Sequence, residues 1–262
     1  MSDARQFVFC GHRGTMATAP ENTLSSFAEA ERVGVDEIEL DVKVTRDGEL
    51  VILHDRTVDR TAAVSTPFLH TPIETMTFDE LRTVDLGGGE QIPTFEETLD
   101  ATSVLLQVEI KAPNAARPLA QFLQSRPESD QARCLVTSFD PLSLADFTDE
   151  WSGAPRGTGL HVPELDTNWR EQAQRIGVST ILIPLSIVTR PLVDELHDAG
   201  YLVAASLIEG PGDVRRVLEM DVDSSASNAP EYARRLLEES AEFTARFPDF
   251  ARIGALLASH SS

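Results

Sequence analysis

The sequence predicts a (β/α)₈ barrel, the TIM barrel, with one small insertion after the second strand. Three observations point there. Short apolar, β-branched runs alternate with helical periodicity almost from end to end, there are eight of each, and 262 residues is close to the roughly 250 that such a barrel needs. An open, doubly wound sheet shares the alternation, but eight strand–helix pairs favour closure. The whole chain, 1–262, reads as a single barrel domain.

Taken in order, the predicted strands cover 7–10, 38–44, 105–110, 134–137, 157–160, 180–183, 202–205 and 222–225. Helical spacing of apolar residues fills the gaps at 23–33, 94–102, 115–124, 142–149, 170–176, 191–199, 212–220 and 230–239. One interval breaks the rhythm. Arg46-Asp47-Gly48 is a turn signal between apolar runs, so 49–54 is expected to fold back as a hairpin arm. Residues 55–93 hold Pro67, Pro72, a short helix at 78–84 and Gly87-Gly88-Gly89. They read as an insertion over the barrel mouth, too short to bury a core of its own. A last amphipathic helix is expected at 249–258.

Composition narrows the function. Hydrophobic and charged residues make up 41% and 25%, as in soluble globular proteins, and no stretch approaches the roughly 18 apolar residues of a membrane span. No integral membrane segment is therefore expected. The N-terminus shows no secretory signal, which makes the cytoplasm the expected location. Cys10 and Cys134 are expected at opposite ends of the barrel, too far apart for a disulfide. A formal charge of −21 and a pI near 4.5 argue against nucleic acid as a partner. The same charge repels anionic substrates, so a phosphate site would need local cations. Lys43 and Lys111 are the only lysines among 22 basic residues, a hint that the broad arginine fork would not fit at those two places.

In such a barrel, functional residues gather at the C-terminal ends of strands and in the loops that follow. The first strand leads into Gly11-His12-Arg13-Gly14, and Pro20-Glu21-Asn22-Thr23 opens the first helix, with Asn22 or Thr23 as its cap. On the second strand Glu39 and Asp41 share one face with Glu37 and Lys43, while Ile38, Leu40, Val42 and Val44 share the other. The third strand ends in Glu109-Ile110-Lys111. Three carboxylates from adjacent strands suit a hard divalent cation, Mg²⁺ or Ca²⁺, better than zinc. The hairpin arm delivers His54-Asp55 beside them. His70, His161, His197 and His260 are expected to be ordinary packed or hydrogen-bonded histidines.

These segments together resemble the glycerophosphodiester phosphodiesterase family. The resemblance rests on Gly11-His12-Arg13-Gly14, Pro20-Glu21-Asn22-Thr23, Glu39-Leu40-Asp41-Val42, Thr45-Arg46-Asp47-Gly48, His54-Asp55, Arg60-Thr61, Ile92-Pro93-Thr94 and Glu109-Ile110-Lys111, in the family's order. Ser138-Phe139 also resembles a family feature. The resemblance implies His12 and His54 as the acid–base pair, Arg13 and Lys111 on the phosphate, and Glu39, Asp41 and Glu109 on one cation. Glu21 and Phe139 would be further site residues. It implies hydrolysis of a small-molecule phosphodiester to sn-glycerol 3-phosphate and an alcohol, through attack by the substrate's own hydroxyl and a cyclic phosphate. The chain departs from the family in its last third, where Ser206-Leu207-Ile208-Glu209 replaces a segment that carries an aromatic residue in relatives. That departure motivates one alternative, the same chemistry on a lysophospholipid or another polyol or sugar phosphodiester; an alternative of another class is a non-catalytic phosphoester-binding protein on the same scaffold.

Overall fold

A computed structural model describes residues 6–165 and 168–250. The described residues form nine strands: β1 (Val8–His12), β2 (Glu37–Val44), β3 (Leu50–Ile52), β4 (Leu105–Ile110), β5 (Cys134–Ser138), β6 (Thr158–His161), β7 (Thr180–Pro184), β8 (Leu202–Ser206) and β9 (Ser224–Ser227). All except β3 are parallel, and the ring closes because β1 pairs with both β2 and β9. The expected eight-stranded barrel is thus the observed one, with β3 added antiparallel along β2 through Val42↔Ile52 and Val44↔Leu50.

The alternation on β2 explains how one strand serves two environments. Ile38, Leu40 and Val42 are fully buried in the layer between barrel and helices, each contributing about 1.5–3 kcal/mol by burial. Glu37, Glu39, Asp41 and Lys43 occupy the alternate positions and are also buried. Helix caps fix the segments that carry site residues. Thr23 accepts from the Ser26 amide at the start of helix Leu24–Val33, and Thr94 with Glu97 forms a capping box on helix Phe95–Ala101.

The structure differs from the sequence reading in several places. β1 runs on to His12, so that residue ends a strand rather than beginning a loop. The last strand is Ser224–Ser227, two residues later than expected, because ladders with β1 and β8 on either side hold this serine-rich run extended despite its weak strand propensity. Short helices Glu128–Gln131 and Ala241–Arg246 were not expected. The insertion gathers a small apolar cluster with β3, formed by Val51, Leu53, Val58, Ile73, Met76, Leu81, Val84, Leu86 and Ile92. Both cysteines are free and buried. Most of the helix expected at 249–258 lies outside the described residues. Among the described residues no helix is long and apolar enough to cross a membrane.

Candidate active site

The parallel register determines which side chains meet at the mouth. His12 pairs with Glu39 across β1–β2, and Asp41 with Glu109 across β2–β4, so three carboxylates and a histidine stand on neighbouring strands. One oxygen each from Glu39, Asp41 and Glu109 lies within 4.8 Å of the other two. Burial, then the charges of Asp41 and Glu109, pushes Glu39 well above the usual carboxylate range. Burial also raises Glu109, to about 7, against the pull of Lys111. Asp41 is wholly buried, and its Oδ1 receives no hydrogen bond. Lys111 Nζ stands 3.6 Å from that oxygen and 2.7 Å from Glu109 Oε1. An oxygen-only donor set with an unsatisfied buried carboxylate oxygen fits a hard divalent cation.

The loop after β1 is bent to aim Arg13 at this cluster. Arg13 adopts φ 51° and Asn22 φ 58°, both left-handed, a conformation that surrounding contacts must hold for residues other than glycine. Asn22 donates to Asp41 Oδ2 at 2.7 Å, and its amide donates to the Arg13 carbonyl. The Arg13 amide donates to Glu39 Oε2 at 3.0 Å, and its guanidinium meets Glu21 at 2.9 Å and Asp41 at 3.4 Å. Gly14 follows at φ 83°, where a Cβ would fall 2.3 Å from Ser26 Oγ.

Two histidines flank the carboxylates with different partners. His12 Nδ1 lies 2.6 Å from Asn228 Oδ1, and its Nε2 is 3.7 Å from Glu39. Burial and the neighbouring Arg13 charge lower its pKa. His54 Nδ1 lies 2.6 Å from Asp55 Oδ1. Burial alone would raise Asp55, but hydrogen bonds from Arg60 and His54 outweigh it and hold the carboxyl at about 2. Arg60 also grips Glu21 with two bonds of 2.6 and 2.7 Å, so Glu21 is clasped between Arg13 and Arg60.

A cavity of about 240 Å³ opens beside these groups. His12, Arg13, Glu39, His54, Glu109 and Lys111 form its polar wall. The opposite wall is largely apolar, with Phe139, Val162, Leu182, Ile183, Ala204 and Leu207. Phe139 is half exposed, stacks on His161 with ring centroids 4.2 Å apart, and has Lys111 Nζ 5.6 Å from its ring centre.

The model of the glycerophosphoryl diester phosphodiesterase family matches residues 12–232. A glycerophosphodiester phosphodiesterase of Caldanaerobacter subterraneus subsp. tengcongensis is 34% identical over 235 residues, covering 84% of this chain and 93% of that one. The chain belongs to the glycerophosphoryl diester phosphodiesterase family. As a member it is a phosphoric diester hydrolase. Two solved structures share the fold. One is an Oleispira antarctica phosphodiesterase in complex with the product sn-glycerol-3-phosphate, with TM-score 0.76, 24% identity and coverage of 88% and 97% of the two chains. The other is a Thermotoga maritima glycerophosphodiester phosphodiesterase, with TM-score 0.73, 23% identity and coverage of 88% and 98%.

All nine site residues expected from sequence lie in one region of this family member: His12, Glu39, Asp41 and Glu109 on β1, β2 and β4, Arg13 and Glu21 after β1, His54 after β3, Lys111 after β4 and Phe139 after β5. Two residues that sequence reasoning passed over lie there as well. His161, expected to be an ordinary histidine, ends β6 and lines the cavity, 3.2 Å from Thr137 Oγ1 and 4.0 Å from Glu109. Its place directly after the run Thr158-Gly159-Leu160 was the signal available. Asn228 follows β9 and reaches His12 only because the barrel closes, a contact spanning 216 residues that no local pattern announces. The divergent segment Ser206–Glu209 borders the cavity through Ser206 and Leu207, and Asn228 Nδ2 donates to Glu209 at 3.3 Å.

Proposed function

We propose that this protein hydrolyses small glycerophosphodiesters to sn-glycerol 3-phosphate and an alcohol, using one Mg²⁺ or Ca²⁺ held by Glu39, Asp41 and Glu109. The observation that carries the reading is the buried Asp41 Oδ1, lacking a donor among three converging carboxylates. Arg13 and Lys111 offset part of the cluster's charge but give that oxygen no hydrogen bond, and a divalent cation would supply the missing contact. When bound, that cation would make a substrate hydroxyl more acidic and neutralise phosphate charge. The Oleispira antarctica relative, which holds sn-glycerol-3-phosphate as product, supports the choice of substrate. Residues 1–262 are proposed to act as one catalytic domain, with 55–93 contributing Arg60 to the mouth.

The chain's own side chains supply binding and proton transfer. Arg13 and Lys111 hold the phosphate, Glu21 keeps Arg13 in place, and Phe139 covers the apolar side. His12, kept neutral by burial and Arg13 and oriented by Asn228, is suited to take the proton of the attacking glycerol hydroxyl. His54, backed by the ionised Asp55, is suited to protonate the departing alcohol oxygen. The P–O bond to that alcohol breaks as the hydroxyl attacks, and water then opens the cyclic phosphate. A second reading keeps this chemistry on a lysophospholipid, and the apolar wall from Phe139 to Leu207 favours it.

A substrate panel scored by released glycerol phosphate separates the two readings, because activity on acylated substrates alone would overturn the first. His12→Ala and His54→Ala should each lose at least about 10²-fold in kcat. Unchanged turnover in either would remove that residue from the mechanism. Chelation should abolish activity, and Mg²⁺ or Ca²⁺ should restore it.

A further inference from the structure

Lys43 is the one lysine that the reaction above leaves unused. It lies on β2 two residues beyond Asp41, on the same strand face, and is only 7% exposed. Among the described residues its ammonium has no hydrogen-bond or ion-pair partner. Its stem is buried while its ammonium reaches the adjoining cleft, where it is free to meet an anionic group. Beside it lies a cleft of about 460 Å³, lined by Lys43, Arg56, Glu74, Lys111 and Asn114 with backbone and apolar neighbours. The single carboxylate in that wall, Glu74, is already gripped by Arg56. In a chain of net charge −21, both lysines therefore line one cleft.

Lys111 also lines the reaction cavity, so the cleft begins where the phosphate of the substrate would be held. The insertion supplies its far wall through Arg56, Ile73 and Glu74, and the segment after β4 supplies the near one. The cavity of about 240 Å³ and the cleft share Lys111 as a common wall, so an anion held by Lys111 has the cleft beside it. We infer that the cleft is a specificity subsite for a leaving alcohol that carries its own anionic group, a carboxylate or phosphate, paired with Lys43. This inference rests on the proposed diester hydrolysis and narrows its substrate class.

The kinetic test uses two nearly isosteric substrates, the glycerophosphodiesters of 3-hydroxypropanoate and of 3-hydroxypropanamide. Wild type should favour the carboxylate by about tenfold in kcat/KM, the size expected of one partly desolvated charge pair, and Lys43→Met should erase the preference. Equal rates in wild type, or a preference that survives in Lys43→Met, would overturn the subsite. If neither diester is cleaved, the underlying reaction has failed, and a second measurement judges the subsite separately. With only two lysines, [¹³Cε]-lysine labelling gives two side-chain signals, assigned through Lys43→Met. Titration with inorganic phosphate should shift the Lys43 signal saturably, and movement of the Lys111 signal alone would refute the site. A Lys43 response to phosphate together with equal rates on cleaved diesters would mean a free-anion site, and would likewise sink the substrate-arm assignment.

Discussion

Glu39 and Glu109 carry the most informative titrations, because burial raises both and Glu109 reaches about 7. In the unfolded chain each ionises near the ordinary glutamate value, 4.5. A carboxyl whose folded pKa is raised contributes stability that is complete below its unfolded value. That contribution is lost as pH climbs through the folded value. For Glu109 the window runs from about 4.5 to about 7, and the loss is on the order of 3 kcal/mol. Cation-free protein should therefore melt several degrees lower at pH 7.5 than at pH 5 on this account. Because the cation competes with protons for the same oxygens, added Mg²⁺ should raise Tm more at pH 7.5 than at pH 5. Calorimetry on wild type and Glu109→Gln tests this. The variant should lose most of the pH slope and of the Mg²⁺ response, and an identical slope in both would show that Glu109 is not the group responsible.

At the scale of elements, the insertion after β2 is tied to the candidate site through Arg60. One guanidinium bonds Asp55, which contacts His54, and Glu21, which contacts Arg13, so the proposed roles of His54 and Arg13 both depend on one arginine from outside the barrel. Arg60→Gln should lower kcat by about tenfold or more through lost orientation, with a smaller change in KM. It should also move the acid limb of the pH–rate profile upward, because Asp55 loses the contact that holds it at about 2. An unaltered profile with only reduced thermal stability would make Arg60 a structural brace. Arg60-Thr61, Glu21 and Asp55 were each visible in sequence within motifs, but that Arg60 joins the other two, 39 and five residues back, was not. The elements themselves were legible where burial enforces a period: the alternation on β2 announced both its apolar face and its carboxylate face. Legibility failed where the barrel's closure overrides local preference. The serines of β9 pair as a strand only because β1 and β8 flank them, and Asn228 and His161 join the site through strand order rather than spacing.

The whole molecule sets a field that the site must work against. With 43 acidic and 22 basic residues, the net field repels an anionic diester, and the cations lining the cavity and cleft, Arg13, Lys43 and Lys111, oppose that field only at short range. The Debye length falls from about 30 Å at 0.01 M salt to about 8 Å at 0.15 M. Added salt therefore removes the long-range repulsion first and leaves the partly buried contacts at the mouth comparatively unscreened. The usual salt dependence of a steered enzyme should be inverted: kcat/KM for a monoanionic diester should rise between 0.01 and 0.15 M NaCl at saturating Mg²⁺. The rise should be steeper for the carboxylate-bearing diester, which carries one more negative charge, and should occur in kcat/KM rather than in kcat. Stopped assays across a salt series measure both. A fall in kcat/KM with salt would mean that the local cations and the bound metal dominate the approach path, and the acidic surface would then play no part in substrate encounter.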